Sequence, residues 1–185
     1  MNASGSHNVP DLALPRLSLV LGGAASGKSR FAEGLVNGSG LAPVYIATAQ
    51  VWDDEMAAKV AAHKAQRGAG WQTIEEPVEV GRALDGITAG QAVLLDCATL
   101  WLSNLILSDA DIAAAESALF QSLAACPAPV VIVSNEVGQG IVPDNALARR
   151  FRNAQGALNQ RIAATAGLVV LVAAGLPLLL KGELP

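Results

Sequence analysis

The chain has little charge, few histidines and cysteines, and no long unbroken apolar run. Lys, Arg, Asp and Glu make up only 15% of its 185 residues, against 52% apolar residues. That balance fits a buried sheet covered on both faces by Ala-rich helices better than an antiparallel sheet with one wet face. The net charge of −4 gives no basic footprint, so no nucleic acid is expected as a partner. Cys97 and Cys126, the only two cysteines, have neither metal nor redox spacing and read as reduced thiols of a cytoplasmic protein. The stretch from Leu168 to Leu180 is interrupted by Gly175 and Pro177. It falls short of the ~20 apolar residues that a bilayer-crossing helix needs, so no membrane span is expected. Met1 to Pro10 lacks a basic segment followed by an apolar one and does not read as a signal peptide.

What is present is an alternation. After a flexible tail over 1–15, apolar or β-branched runs occur at Leu17–Leu21, Val44–Ala47, Gln72–Ile74, Ala92–Asp96, Val130–Ser134 and Leu168–Val172. Amphipathic stretches separate them: Ser29–Val36, Asp53–Arg67, Val78–Leu84, Ile112–Ala125 and Asn145–Ala164. Strand and helix in turn predict an α/β fold with a mostly parallel sheet and helices on both faces, as one domain over 16–185. The segment around Trp71–Glu75 is the least apolar and is expected at a sheet edge.

The most specific local signal is Gly22-Gly23-Ala24-Ala25-Ser26-Gly27-Lys28-Ser29. It fits the phosphate-loop pattern G-x-x-x-x-G-K-[ST] between a strand and a helix, which makes the expected fold a P-loop NTPase-like three-layer sandwich. Glycines let backbone N–H groups converge on a polyphosphate, and the helix N-terminus adds partial positive charge. Lys28 is the cation for the β- and γ-phosphates, and Ser29 is a hydroxyl ligand for Mg²⁺. Val93-Leu94-Leu95-Asp96 has the form of the acidic strand that accompanies such loops, which makes Asp96 the second metal-facing oxygen donor. Both signals predict a nucleoside triphosphate and Mg²⁺.

Ligands of such sheets bind beyond the carboxyl ends of the strands. That rule gathers the phosphate loop, Thr48–Gln50, Asp96 and the Asn135-Glu136 pair. Asn135 and Glu136 are equally readable as substrate or Mg²⁺ contacts and as turn formers. Asp53, Asp54 and Glu55 suit the first turn of a helix better than a metal site. Arg149, Arg150 and Arg152 read as the solvated face of a helix, with a phosphate-holding role as the alternative. Trp71 and Trp101 read as core or interface aromatics. Met56, Val60, His63 and Arg67 share one helical face. A neutral imidazole there is either a nucleophile toward phosphorus, with Lys64 and Arg67 to neutralise phosphate charge, or a solvated helix histidine. Two functions fit at this level: a generic small-molecule kinase of the phosphate-loop class, in which His63 is incidental, and a nucleotide-dependent binding module.

Several further segments occur in one order at close spacing. They are Tyr45-Ile46-Ala47-Thr48-Ala49, Asp53-Asp54-Glu55-Met56, His63 with Arg67, Trp71, Asn135-Glu136-Val137-Gly138, Gly140-Ile141-Val142-Pro143 and Ala174-Gly175-Leu176-Pro177. With the phosphate loop they resemble the bifunctional adenosylcobinamide kinase / adenosylcobinamide-phosphate guanylyltransferase family of cobalamin biosynthesis, from about Leu17 to Gly182. The resemblance implies two reactions. ATP or GTP phosphorylates the hydroxyl of adenosylcobinamide. GTP then guanylylates a histidine, matching His63, and the GMP passes to adenosylcobinamide phosphate. It also implies GTP contacts at the phosphate loop (Gly22–Ser29), at Ala47, Thr48 and Ala49, at Lys64, Ala65, Gln66 and Arg67, and at Glu75 and Asp96. A homo-oligomer, expected to be a trimer, is implied as well. Two positions depart from the family pattern: Ala25 stands where arginine is common, and Gly68 where proline is frequent.

Overall fold

The computed structural model describes residues 13–50, 67 and 70–185. Seven strands form one sheet in the order β3-β2-β4-β5-β1-β6-β7. In chain order they are β1 (Leu17–Gly22), β2 (Ala42–Ala47), β3 (Gln72–Glu75), β4 (Gln91–Asp96), β5 (Val130–Asn135), β6 (Leu168–Ala173) and β7 (Leu176–Lys181). The described helices are α1 (Lys28–Gly38), α2 (Val80–Asp85), α3 (Ala98–Leu107), α4 (Ile112–Ala125) and α5 (Ala146–Thr165). All strand pairs are parallel except β6 with β7. The expected mostly parallel α/β fold is therefore present, with β3 at one edge as the polar character of Trp71–Glu75 predicts. The expected helix Asp53–Arg67 lies outside the described residues except for Arg67.

The side-chain alternation of the strands divides the core in two. Leu19, Leu21, Ile46, Leu95 and Ile132 point to one face, where residues of α2 to α5 such as Leu84, Trp101, Leu119 and Leu158 meet them. Val20, Tyr45, Leu94, Val131 and Val133 point to the other, under Ala32 and Val36 of α1. Both sheet faces are thus covered. Leu14 packs against the α1-side cluster, so ordered contacts begin ahead of β1.

Two elements go beyond the sequence expectation. Helix α3 is apolar nearly all round, with Ala98, Trp101, Leu102, Leu105 and Ile106 all buried. A helix without a polar face carries no amphipathic signature. Strand β7 reverses direction through Ala174 and Gly175, at φ 52° and 78°. These values suit the two-residue hairpin turn that matches strand twist. Pro177 pairs opposite Val172 on this outer strand, where a proline is tolerated.

Candidate active site

The phosphate loop grows out of β1, which lies inside the sheet between β5 and β6. Its geometry depends on residues with no or small side chains. A Cβ on Gly22 would come within 2.7 Å of the Val172 carbonyl oxygen and 2.3 Å of Ser26 Oγ, so the loop can turn here only at glycine. Gly27 has φ 92°, the left-handed region that glycine adopts without strain. Ala25, where arginine is common in the family, also lies in that region at φ 54°. The loop is braced from outside, because Gly175 N–H of the β6–β7 turn donates to Ser26 C=O at 2.8 Å.

Helix α1 starts at Lys28 with Gly27 as its N-cap and no side-chain cap. Helices α3, α4 and α5 are by contrast capped by Cys97, Asp111 and Asn145. The first N–H groups of α1 are thus left for an anion, in the field of the helix dipole. Lys28 Nζ donates to Gly23 C=O at 3.1 Å across the loop. A concavity of about 440 Å³ opens here, lined by Ala25 through Arg30 and by Glu33.

The carboxyl ends of the other strands carry the remaining candidates. Gly22 is paired with Asn135, Ala47 with Asp96, and Ala47 with Glu75. Asp96 thus lies two strands from Gly22, and exposed Glu75 lies four strands away at the sheet edge. Asp96 and Glu75 are level with Val133, two residues short of Asn135 and Gly22. At ~4.8 Å per strand and ~3.3 Å per residue these spans are ~12 and ~20 Å. Asp96 and Glu75 therefore mark the middle and the far end of one edge rather than a single cluster.

Asp96 is anchored on both sides. Its C=O accepts from Thr48 N–H at 3.2 Å, and its cis peptide leads into Cys97. Thr48 is fully buried. Its hydroxyl accepts from Cys97 N–H and donates to Cys97 C=O, both at 2.8 Å. Thr48 C=O takes the Asn104 amide, which also holds Pro77 C=O, each at 2.9 Å. Every polar group of Thr48 is used in this joint, so Thr48 positions the Asp96 edge. Asn104 carries no motif signature, and nothing in its spacing would have singled it out.

Arg67 is the described remainder of the Lys64–Arg67 segment; His63, Lys64, Ala65 and Gln66 lie outside the described residues. Its guanidinium stacks over the Tyr45 ring, 3.5 Å from the centroid. Tyr45 in turn meets Trp71 edge to face at 6.4 Å. Arg67 Nη1 is buried without a hydrogen-bond partner. Burial holds the Tyr45 hydroxyl well above its ordinary pKa, with the Asp96 charge adding to the rise and Arg67 opposing it. Burial, reinforced by Asp96, likewise pushes the Cys97 thiol up to about 11, so that thiol is neutral near pH 7 and no nucleophile.

The Asn135-Glu136 pair separates. The Glu136 carboxylate accepts Gly138 N–H at 2.8 Å and lines a groove with Leu21, Gly156 and Asn159 on the α5 side. Asn135 stands on the opposite side, with Asp96 and α1. Of the three arginines, Arg152 donates to Gly138 C=O at 2.6 Å, and Arg149 to Pro143 and Asp144 C=O at 2.9 and 2.6 Å. Two members of the expected solvated face are thus spent on shaping the loop between β5 and α5, while Arg150 is exposed. Trp101 is buried, with its indole N–H on Val78 C=O at 2.7 Å.

Among the described residues no three His, Cys, Asp or Glu gather into a metal cage. Ser29 and Asp96 supply oxygen donors only, a set that suits Mg²⁺ arriving with phosphates better than Zn²⁺ held by protein. No described helix is long and apolar enough to cross a membrane.

Comparison with known proteins decides the family. The profile described as "Cobinamide kinase / cobinamide phosphate guanyltransferase" matches residues 18–180. The chain belongs to that family. It is 47% identical over 168 residues to the bifunctional adenosylcobalamin biosynthesis protein CobP of Pseudomonas aeruginosa, covering 89% of this chain and 97% of that protein. Against the CobU protein of Salmonella typhimurium it is 45% identical, with 88% and 98% covered. At the level of fold alone, it resembles the flagellar accessory protein FlaH of Methanocaldococcus jannaschii, with TM-score 0.52, 12% identity and 92% and 80% of the two chains covered. The family match spans the phosphate loop, the Asp96 edge, and the turn at Ala174-Gly175.

Proposed function

We propose that this chain carries out both reactions of its family. A nucleoside triphosphate, ATP or GTP, phosphorylates the hydroxyl of adenosylcobinamide. GMP then moves from GTP through His63 to adenosylcobinamide phosphate, giving adenosylcobinamide-GDP. The observation that carries this reading is the match over residues 18–180 to a family described by these two activities, centred on a complete phosphate loop.

In the first reaction the oxygen of the acceptor hydroxyl forms a bond to the γ-phosphorus, the bond to the bridging oxygen breaks, and the hydroxyl proton is lost. Such a transfer needs positioning and charge stabilisation rather than a covalent intermediate. The loop N–H groups and the uncapped start of α1 orient the phosphates. Lys28 leaves Gly23 C=O to meet the charge that develops on them. Mg²⁺, held from Ser29 and Asp96, supplies further neutralisation when bound.

In the second reaction an imidazole nitrogen of His63 attacks the α-phosphorus and pyrophosphate leaves. A phosphate oxygen of the acceptor then displaces the histidine, which regains its lone pair. Arg67 supports this assignment: four residues beyond His63, its guanidinium is seated on Tyr45 with one nitrogen unpartnered. The free donor suits an anionic or carbonyl oxygen of GTP. Lys64, Ala65 and Gln66 complete the proposed segment, and Ala47, Ala49 and Glu75 line the edge beside it. The chain is further proposed to act in the cytoplasm as a homotrimer. The row of exposed leucines on β7, Leu176, Leu178, Leu179 and Leu180, supports a subunit contact, since such an edge is otherwise prone to uncontrolled pairing.

The deciding experiment is incubation with α-labelled GTP followed by denaturation, on wild type and His63→Ala. Wild type should carry an acid-labile, alkali-stable label. His63→Ala should carry none, make no adenosylcobinamide-GDP, and still phosphorylate adenosylcobinamide. Guanylyl transfer by the variant would overturn the role of His63. Acceptor-dependent release of nucleoside diphosphate by unlabelled wild type would point instead to a simple small-molecule kinase.

A further inference from the structure

Asn135 stands at the nucleotide edge with a side-chain oxygen that the fold itself does not use. Its backbone is fully engaged. Asn135 N–H donates to Thr99 Oγ1 at 2.7 Å, and its C=O accepts from Asn159 Nδ2 at 3.1 Å. The turn after β5 is therefore secured by main chain, Thr99 and Asn159, and needs nothing from the Asn135 amide. Yet Asn135 Oδ1 is buried and has no hydrogen-bond partner. A buried acceptor left unpaired is costly, and retention of one at a strand end calls for a donor that arrives with a ligand.

The direction of the side chain says which ligand. Along β5, Val131 and Val133 belong to the cluster under α1, so the two-residue period puts Asn135 on that face as well. Ser134, one residue earlier, faces the other way and bonds Asn159 of α5 at 2.6 Å. On β4 the same period sends Asp96 to the α1 face with Leu94. Strand β5 lies between β1 and β4. Asn135 is level with Gly22 at the start of the phosphate loop, while Asp96 on the next strand is level with Val133. Asn135 thus stands one strand over from Asp96 and two residues further toward the nucleotide end, beneath the helix that opens with Lys28 and Ser29. Glu136, its neighbour, is held on the α5 side by Gly138 and lies away from this cluster.

We propose that Asn135 is a third oxygen of the metal and phosphate site, its Oδ1 accepting a hydrogen bond from a water on the Mg²⁺ that accompanies the triphosphate. An amide oxygen suits this place between an anionic triphosphate and the Asp96 carboxylate. It accepts from metal-bound water without adding another negative charge. The inference rests on the nucleotide-binding reading above and goes beyond it in assigning a role to Asn135.

The test is equilibrium binding of a fluorescent GTP analogue, in Mg²⁺ and in excess EDTA, for wild type, Asn135→Ala, Asn135→Asp and Lys28→Ala. Asn135→Ala should weaken binding in Mg²⁺ by about five- to tenfold, the effect of one hydrogen bond, and change binding in EDTA by less than about twofold. Asn135→Asp, of the same shape, should bind in Mg²⁺ at least as tightly as wild type. In EDTA it should bind more weakly, because its charge then repels the phosphates. Equal weakening of Asn135→Ala with and without the metal would show a purely structural residue and overturn the proposal, as would no change in either. Should Asn135→Ala fail to fold, the opposite shifts expected of Asn135→Asp still decide the matter. Lys28→Ala separates the two levels of inference. If it leaves both affinities unchanged, the nucleotide-site reading itself fails.

Discussion

Replacing Thr48 by valine should damage the protein more than the removal of a single hydroxyl suggests. The shapes are nearly equal, so packing is conserved and the change isolates hydrogen bonding. Two bonds of 2.8 Å vanish, both to Cys97, in a fully buried site. They are not equivalent. Cys97 C=O also accepts Trp101 N–H at 3.1 Å within α3, so it stays satisfied and loses only the net worth of one bond, about 1 kcal/mol. Cys97 N–H loses its acceptor, Thr48 Oγ1, and becomes a buried orphan, at roughly 1–3 kcal/mol. The sum, about 2–4 kcal/mol, should lower Tm by roughly 5–15 °C in a chain of this length. Because Cys97 follows Asp96 directly, Mg²⁺-dependent nucleotide binding should weaken as well. The assay is urea and thermal unfolding with parallel nucleotide titration, and Thr48→Ser serves as the control that restores the hydroxyl. A Thr48→Val protein within about 0.5 kcal/mol of wild type would refute the account of this joint.

Lys28→Ala should abolish phosphoryl transfer with Tm within a few degrees of wild type, as measured by acceptor phosphorylation; a near wild-type rate would remove Lys28 from the site. Asp96→Asn should raise the Mg²⁺ concentration needed for half-maximal activity, since an amide oxygen is a weaker ligand for a hard cation than a carboxylate; an unshifted Mg²⁺ titration would make Asp96 structural. The Cys97 thiol is held protonated to about pH 11 in the fold, above the ~8.5 of a free thiol. Its contribution to stability should therefore be complete below about pH 8.5 and be lost as pH rises toward 11. Urea midpoints of wild type and Cys97→Ala compared across that range check this, and equal slopes would show that Cys97 does not drive the loss. Gly175→Val should impair nucleotide binding, because a β-branched residue resists φ 78° and the turn would release Ser26 C=O; unchanged affinity would mean that the phosphate loop holds its shape alone.

Much of this was readable in the residues, for reasons that can be stated one at a time. The phosphate loop announces itself because glycine and lysine are dictated by close backbone approach and by phosphate charge. Six strands stand out because each is a short apolar run flanked by a polar or amphipathic stretch. Helix α3 escaped because it is apolar on nearly every side and has no broad polar face to set a period. Strand β7 escaped because Pro177 and Gly175 look like breaks in one apolar run, whereas they mark an outer strand and the turn that leads to it. Within the site, the Asn135-Glu136 pair could not be divided by reading alone. Adjacent strand residues face opposite ways, and which way depends on knowing that Val133 packs under α1. The Thr48–Cys97–Asn104 joint was invisible too, since its partners are far apart in the chain and bear no common motif.

The bond from Gly175 to Ser26 has a further meaning for how the protein comes into being. The nucleotide loop follows the first strand to be synthesised, but its supporting wall, Val172 to Gly175, belongs to the last hairpin. Strand β1 lacks its β6 neighbour until residues 168–172 have emerged from the ribosome, and Ser26 C=O lacks its partner until Gly175 follows. A nascent chain therefore carries the binding motif long before it carries a rigid binding site. Cellular GTP and ATP, however abundant, have no finished pocket to stabilise during most of translation. Their protection of the fold through binding begins only when the two ends of the domain have met.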